Sequence, residues 1–132
     1  MSPREYHGRP DGLAQANGYS HAVSATGRFV SVAGQVAMDE QGELVGEGDP
    51  QAQAERVFEN LRLALAAVGA TFADVVKFGV YTTDISILPV VREVRDRYVD
   101  TANPPASTAV QVGALFRPGY VLEIEAFAVV ED

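Results

Sequence analysis

The stretch "PPASTAVQVGALFRPGYVLEIEAFAVVED", residues 104–132, decides the fold, because its last part alternates between two kinds of side chain. Neighbouring side chains of a β-strand point to opposite faces, so Leu122, Ile124 and Ala126 share a wholly apolar face. The other face carries Glu123 and Glu125 among valine and phenylalanine. This mixed face predicts a sheet surface that is partly covered by something other than water.

The first half of the chain predicts a hairpin followed by a helix. Residues 19–25 and 28–36 have the composition of two strands, and "TG" supplies the turn between them. Asp49 is placed as an N-cap before Pro50, and Gly69 is placed as the C-terminal stop of the helix. Apolar residues at helical spacing predict its buried stripe: Ala54, Val57, Phe58, Leu61, Leu65 and Val68.

The second half predicts a third strand in "VVKFGVYTT", with Val76, Phe78 and Val80 on one face. A helix at 86–101 ends before "NPP", and strands at 107–113 and 121–130 close the chain. The order β-β-α-β-α-β-β predicts an α+β fold with a mixed sheet and two helices on one face.

Two helices cover only one face of such a sheet, so the other face meets solvent or a partner. An exposed apolar face favours an oligomer. Carrying the alternation through the chain assigns these residues to the uncovered face: Tyr19, His21, Glu123, Glu125 and Phe127.

Composition predicts one domain, residues 1–132, whose first 18 residues form a loosely ordered arm. The formal net charge of -8 argues against nucleic acid as a partner, because affinity for phosphate backbones depends on Lys and Arg. The chain has no cysteine, no apolar run long enough for a membrane span and no apolar signal segment, which favours the cytoplasm. No spacing of His, Asp or Glu predicts a metal, and no glycine-rich nucleotide motif predicts a cofactor.

Glu123 is the candidate catalytic residue, because a carboxylate in partly apolar surroundings is able to position or activate water. The alternative interpretation is a structural glutamate that pairs with an arginine of a neighbouring subunit. Arg117, in the loop between the last two strands, is a candidate ligand for an anionic substrate, and Tyr19 is a candidate wall of the pocket.

With these residues identified, the chain resembles the Rid family, the YjgF-like reactive-intermediate deaminases, from about residue 17 to 131. The matching segments are "GYSHAV", "VAGQVAMDEQGELVGEGDPQAQAERVFENLRLALAAVGATFADVVKFGVYTTDI", "NPPASTAVQV" and "PGYVLEIEAFAV". The resemblance implies a chorismate-mutase-like fold that forms a homotrimer with clefts between subunits. It also implies hydrolysis of enamines and imines to 2-oxo acids and ammonia, without a metal or organic cofactor.

The same resemblance implies roles for three residues. Tyr19 matches the family's tyrosine of the first strand, and Glu123 matches the cleft glutamate that positions water. Ser107, in "PAST", stands where the family has an arginine that grips the substrate carboxylate. The resemblance therefore implies an imine deaminase with an altered substrate. The alternative is a non-catalytic trimer that binds a small metabolite or has a regulatory role.

Overall fold

The computed structural model describes residues 4–132 and contains six strands and two α-helices in that range. Their bounds are β1 Arg4–His7, β2 Ala22–Ala25, β3 Arg28–Gln35, α1 Pro50–Ala67, β4 Val75–Thr82, α2 Leu88–Arg95, β5 Ala106–Gln111 and β6 Leu122–Val130. Short 3-10 turns precede β4 and α2. The predicted α+β class, with a mixed sheet and two helices, is confirmed.

The main sheet has four strands in the order β3-β6-β4-β5. Strand β6 pairs antiparallel with both β3 and β4, whereas β4 and β5 run parallel. The parallel pair needs a crossover, and α2 lies in the connection between β4 and β5. Strand β6 is thus central, and both of its edges are hydrogen-bonded.

The alternation in β6 separates a buried face from a half-buried one, as the sequence predicts. Its even-numbered residues, from Leu122 to Val130, are all buried, while Glu123, Glu125 and Phe127 are half-buried. Residues of both helices belong to the same apolar core as the even-numbered residues. Both helices therefore pack on one face, and the face that carries the glutamates stays uncovered.

Helix α1 has the predicted boundaries. The Asp49 side chain accepts a hydrogen bond from the backbone N–H of Ala52, and Pro50 opens the helix. Gly69 adopts a φ of 75°, the left-handed conformation that ends many helices. Val68 is wrongly predicted as part of the buried stripe, because it caps the helix and is 43% exposed.

The predicted hairpin between residues 19–25 and 28–36 is wrong. Strand β2 pairs with β1 in a separate two-stranded sheet, and β3 pairs with β6 instead. Strand β1 lies within the predicted loose arm, so that segment has secondary structure at residues 4–7, while residues 1–3 lie outside the described range. Alternation identifies a strand, but its partner depends on distant segments.

Two further boundaries differ from the prediction. A β-bulge between Val75 and Lys77 shifts the register, so Val75 rather than Val76 joins Phe78 and Val80 in the core. Helix α2 ends at Arg95, short of the predicted residue 101. Across residues 4–132, every helix is too short or too polar to cross a membrane.

Candidate functional site

The Glu123 side chain lies flat against Gly34 of the neighbouring strand β3. A Cβ atom at position 34 would stand 2.6 Å from Oε2 of Glu123 and 2.9 Å from its Cγ. Such distances are shorter than real Cβ contacts, so a side chain at position 34 would displace the glutamate. Gly34 therefore provides the space in which the Glu123 carboxylate lies.

Glu123 lines an open groove of about 690 Å³ between the end of β3 and helix α1. Two side chains of α1 hold one wall: Arg56 donates to the carbonyl of Met38 at 3.2 Å, and Asn60 donates to the carbonyls of Val36 and Met38. Phe116 also lines the groove. A carboxylate on an open wall of this kind is accessible to water and to a small substrate.

Glu125 has a different environment from Glu123. Its Oε2 accepts a hydrogen bond of 2.9 Å from the Tyr81 hydroxyl, and its side chain covers Gly79 as Glu123 covers Gly34. The hydrogen bond to Glu125, together with the negative charges of Glu125 and Glu123 and with burial, raises the pKa of Tyr81 above its ordinary value of 10.0. Glu125 is therefore occupied by a structural contact.

The Tyr81 hydrogen bond predicts a pH dependence of stability. Because the pKa of Tyr81 is raised in the folded protein, its contribution is complete below pH 10.0 and is lost as the pH rises through the folded value. We expect the difference in free energy of unfolding between the wild type and Tyr81→Phe to be constant up to pH 10.0 and to shrink above it. Urea unfolding of both proteins from pH 8 to 11 measures this difference. A constant difference across the whole range would contradict the assignment.

Ser107 and the segment around Tyr19 lie close together at the edge of the main sheet that strand β5 forms. Ser20 forms a parallel bridge with Ala106, and its hydroxyl donates to the carbonyl of Pro104 at 2.7 Å. Ser107 follows in β5 and lines a separate hollow beneath α2. Tyr19 packs edge-to-face on His21, with ring centroids 5.4 Å apart. Tyr19 and His21 lie outside the strands of the main sheet, so strand alternation does not assign them to its uncovered face.

Arg117 contacts Phe116, and Phe116 lines the Glu123 groove. The guanidinium carbon of Arg117 is 5.1 Å from the centroid of the Phe116 ring, which in turn stacks on Tyr120 at 5.4 Å. Glu123 and Phe116 therefore line one groove of the protomer, and Ser107 lines a separate hollow; Arg117 and Tyr19 line neither of the two.

Gln53 is a positioning residue that the sequence interpretation missed. It is fully buried in α1, donates to the carbonyls of Gly46 and Gly119, and accepts from the N–H of Val121. These bonds attach two loops to the helix: the loop before α1 at Gly46, and the end of the loop before β6 at Gly119 and Val121. The signal in the sequence is a glutamine four residues before Val57, on the apolar stripe.

No group of three or more His, Asp or Glu side chains within residues 4–132 is arranged to hold a metal ion. The Glu123 groove is lined by three carboxylates, those of Asp39, Glu40 and Glu123, and by the aromatic ring of Phe116. A carboxylate in such a groove is suited to proton transfer to and from water.

Comparison with known proteins gives consistent matches along most of the chain. The family described as Endoribonuclease L-PSP matches residues 10–130. Protein DfrA of Myxococcus xanthus is 44% identical over 112 residues, which is 84% of each chain. A RutC family protein of Pyrococcus abyssi is 40% identical over 111 residues, which is 83% of this chain and 84% of that protein.

Solved structures show the same fold. A Rid family protein of unknown function from Yersinia pestis superposes with a TM-score of 0.85 at 33% identity, covering 98% of this chain and 100% of the other. RidA from the Antarctic bacterium Psychrobacter gives a TM-score of 0.72 at 38% identity, with the same coverage.

Proposed function

Because the chain belongs to the Endoribonuclease L-PSP family, as a YjgF/RidA-like member, we propose that it deaminates reactive enamines and imines to carbonyl compounds and ammonia. The observation that carries the proposal is the Glu123 carboxylate, which lies against Gly34 on the wall of an open groove. Glu123 is the proposed catalytic residue. Tyr19, Ser107 and Arg117 are the proposed substrate-binding residues.

The chemistry needs one base and one water molecule. An enamine first becomes its imine when its carbon gains a proton and its nitrogen loses one. Glu123 then accepts a proton from water, the water oxygen bonds to the imine carbon, and the imine nitrogen takes up a proton to give a carbinolamine. The carbon–nitrogen bond breaks as the hydroxyl proton leaves and the nitrogen is protonated, which yields a carbonyl compound and ammonia. No oxidant or reductant enters.

A homotrimer would join the Glu123 groove of one copy to the Ser107 hollow of another. Within one protomer, Glu123 and Ser107 line different hollows, so a single cleft containing both requires two copies of the chain. The uncovered sheet face supports such assembly, because Phe29 is 65% exposed and stacks on Phe127, with ring centroids 6.0 Å apart. We therefore propose three clefts, each with Glu123 of one copy and Ser107 of another.

The substrate is proposed to differ from that of relatives with the cleft arginine. By the family resemblance, Ser107 takes the position of that arginine, and a serine hydroxyl donates one neutral hydrogen bond where a guanidinium donates two charged ones. A substrate carboxylate would therefore need another cation, or the substrate would lack a carboxylate.

An imine hydrolysis assay tests the proposal. An amino-acid oxidase generates 2-imino acids from several amino acids, and semicarbazide traps the imine as a semicarbazone. We expect the chain to lower the rate of semicarbazone formation for at least one of these imines and to raise the rate of 2-oxo acid release equally. The absence of any effect across small, branched and aromatic imines would contradict the deaminase.

The second candidate is a non-catalytic trimer that binds a small metabolite or has a regulatory role, which the serine at position 107 favours. Under that hypothesis, Glu123→Gln leaves ligand binding intact and neither protein turns over imine. RNA cleavage, which the family description names, is less consistent with ten basic and eighteen acidic residues.

A further inference from the structure

A small hollow between helix α2 and the edge strand β5 combines an apolar interior with a cationic rim. Its volume is about 60 Å³. Apolar side chains of both helices and of the sheet line its interior, among them Phe58, Val91 and Ile124, and Arg92, Arg95 and Ser107 complete the lining. The lining contains two arginines and no acidic residue, although the chain as a whole has a net charge of -8.

The two arginines differ in the partners they have. Arg95 is only 12% exposed in its side chain and donates to Oδ1 of Asp96 through Nε at 3.2 Å and Nη2 at 2.8 Å. Arg92, by contrast, has no carboxylate within ion-pair distance and no side-chain hydrogen bond among residues 4–132. Arg92 is exposed, so the donors of its guanidinium face solvent and are accessible to a ligand.

Gly18 lies next to the guanidinium groups of both Arg92 and Arg95. A Cβ atom at position 18 would stand 3.2 Å from Nη2 of Arg95 and 3.4 Å from Nε of Arg92, and the glycine has a φ of 82°. The loop before Tyr19 is thus packed directly onto the rim. Arg92 also borders an outer groove with Glu93 and Asp96, neither of which lines the hollow.

The chemistry of the hollow selects a small anion with an aliphatic tail. A guanidinium beside an apolar wall binds carboxylates through two parallel hydrogen bonds. The interior, about 60 Å³, is smaller than the roughly 150 Å³ cavity that accommodates benzene in another protein, which favours a short aliphatic chain over an aromatic ring. Ser107 adds one neutral donor at the same wall.

We propose that this hollow binds a short-chain aliphatic carboxylate, with Arg92 as the ligand of the carboxylate group. Helix α2 then supplies the cation that strand β5 lacks at Ser107. That the ligand is the imino acid substrate rests on the proposed deaminase function, whereas the binding site itself does not.

Titration with butanoate tests the site on the full chain, with amide chemical shifts followed by NMR. We expect saturable shifts at Val91, Arg92, Ser107 and Ala109. The affinity should fall at least tenfold in Arg92→Gln, and less in Arg92→Lys, which keeps the charge but loses the planar fork.

Arg97→Gln is the matched control, because Arg97 is exposed and donates to Glu55 at 2.8 Å, outside the hollow. Butanamide, which has the same shape without the charge, should bind at least tenfold more weakly than butanoate.

Three outcomes would overturn the proposal: no saturable shifts at the hollow, equal affinity of the wild type and Arg92→Gln, or equal affinity for butanoate and butanamide. The assay with 2-iminobutanoate separates this proposal from the deaminase. Arg92-dependent binding without turnover contradicts the enzyme and leaves the site. Turnover that Arg92→Gln does not change contradicts the hollow as the site of the substrate carboxylate and leaves the enzyme.

Discussion

Replacement of Glu123 by glutamine is expected to lower the turnover of imine by about 10²- to 10⁴-fold, the usual contribution of a general base. Glutamine has the same size, so it fits against Gly34, but its amide does not accept a proton from water. The semicarbazide assay measures the loss, and circular dichroism and size-exclusion chromatography of the same variant show that the fold and the assembly persist.

Glu125→Gln is the matched control for this prediction. Glu125 is on the same face of β6, two residues further along, but its carboxylate accepts from Tyr81 rather than lining the groove. A glutamine carbonyl accepts the same hydrogen bond, so we expect turnover within about threefold of the wild type, well short of the loss of a catalytic base. Equal losses in the two variants, or retention of a tenth of the activity in Glu123→Gln, would contradict the role of Glu123.

Replacement of Gln53 by alanine is expected to lower the free energy of unfolding by about 3 kcal/mol. The change removes the partner of the Gly119 carbonyl and of the Val121 N–H, and each buried group left unsatisfied costs roughly 1–3 kcal/mol. The Gly46 carbonyl keeps the hydrogen bond that it accepts from the Asp49 N–H. The costs are not additive, because water enters part of the space. Urea unfolding monitored by circular dichroism measures the difference.

Gln51→Ala is the control on the same helix. Gln51 is exposed, so its replacement should change stability by less than about 0.5 kcal/mol. A cost below about 1 kcal/mol for Gln53→Ala would show that the loop has other support. Because Gln53 attaches Gly119 and Val121 to α1, we also expect this variant to lose order in the loop that carries Phe116 and Arg117.

Part of the candidate site was predictable from local pattern. The placement of Glu123 and Glu125 on the uncovered face follows from the two-residue period of a strand, and β6 has no bulge between residues 122 and 130. The same reasoning failed in β4, where a bulge moves Val75 into the core in place of Val76. A bulge inserts one extra residue into a strand and so reverses which residues face the core. Nothing in "VVKF" indicates it, because Val75 and Val76 are both valines.

The role of Gln53 and the position of Arg92 were not predictable in the same way. Gln53 is one polar residue at stripe spacing, and only the positions of Gly46 and Gly119 show that its amide is fully bonded. Arg92 belongs to a short helix with several charged residues, and only the packing of Gly18 and β5 against that helix identifies which of them border a hollow.

The sequence by itself determined the class of fold, the ends of helix α1 and the two faces of β6, because each depends on residues within a few positions along the chain. Only the tertiary structure decided that β2 pairs with β1, and that Glu123 and Ser107 line different hollows of one protomer. Strand pairing and pocket geometry depend on contacts between segments far apart in the chain, and a periodic pattern contains no information about which distant segment is the partner.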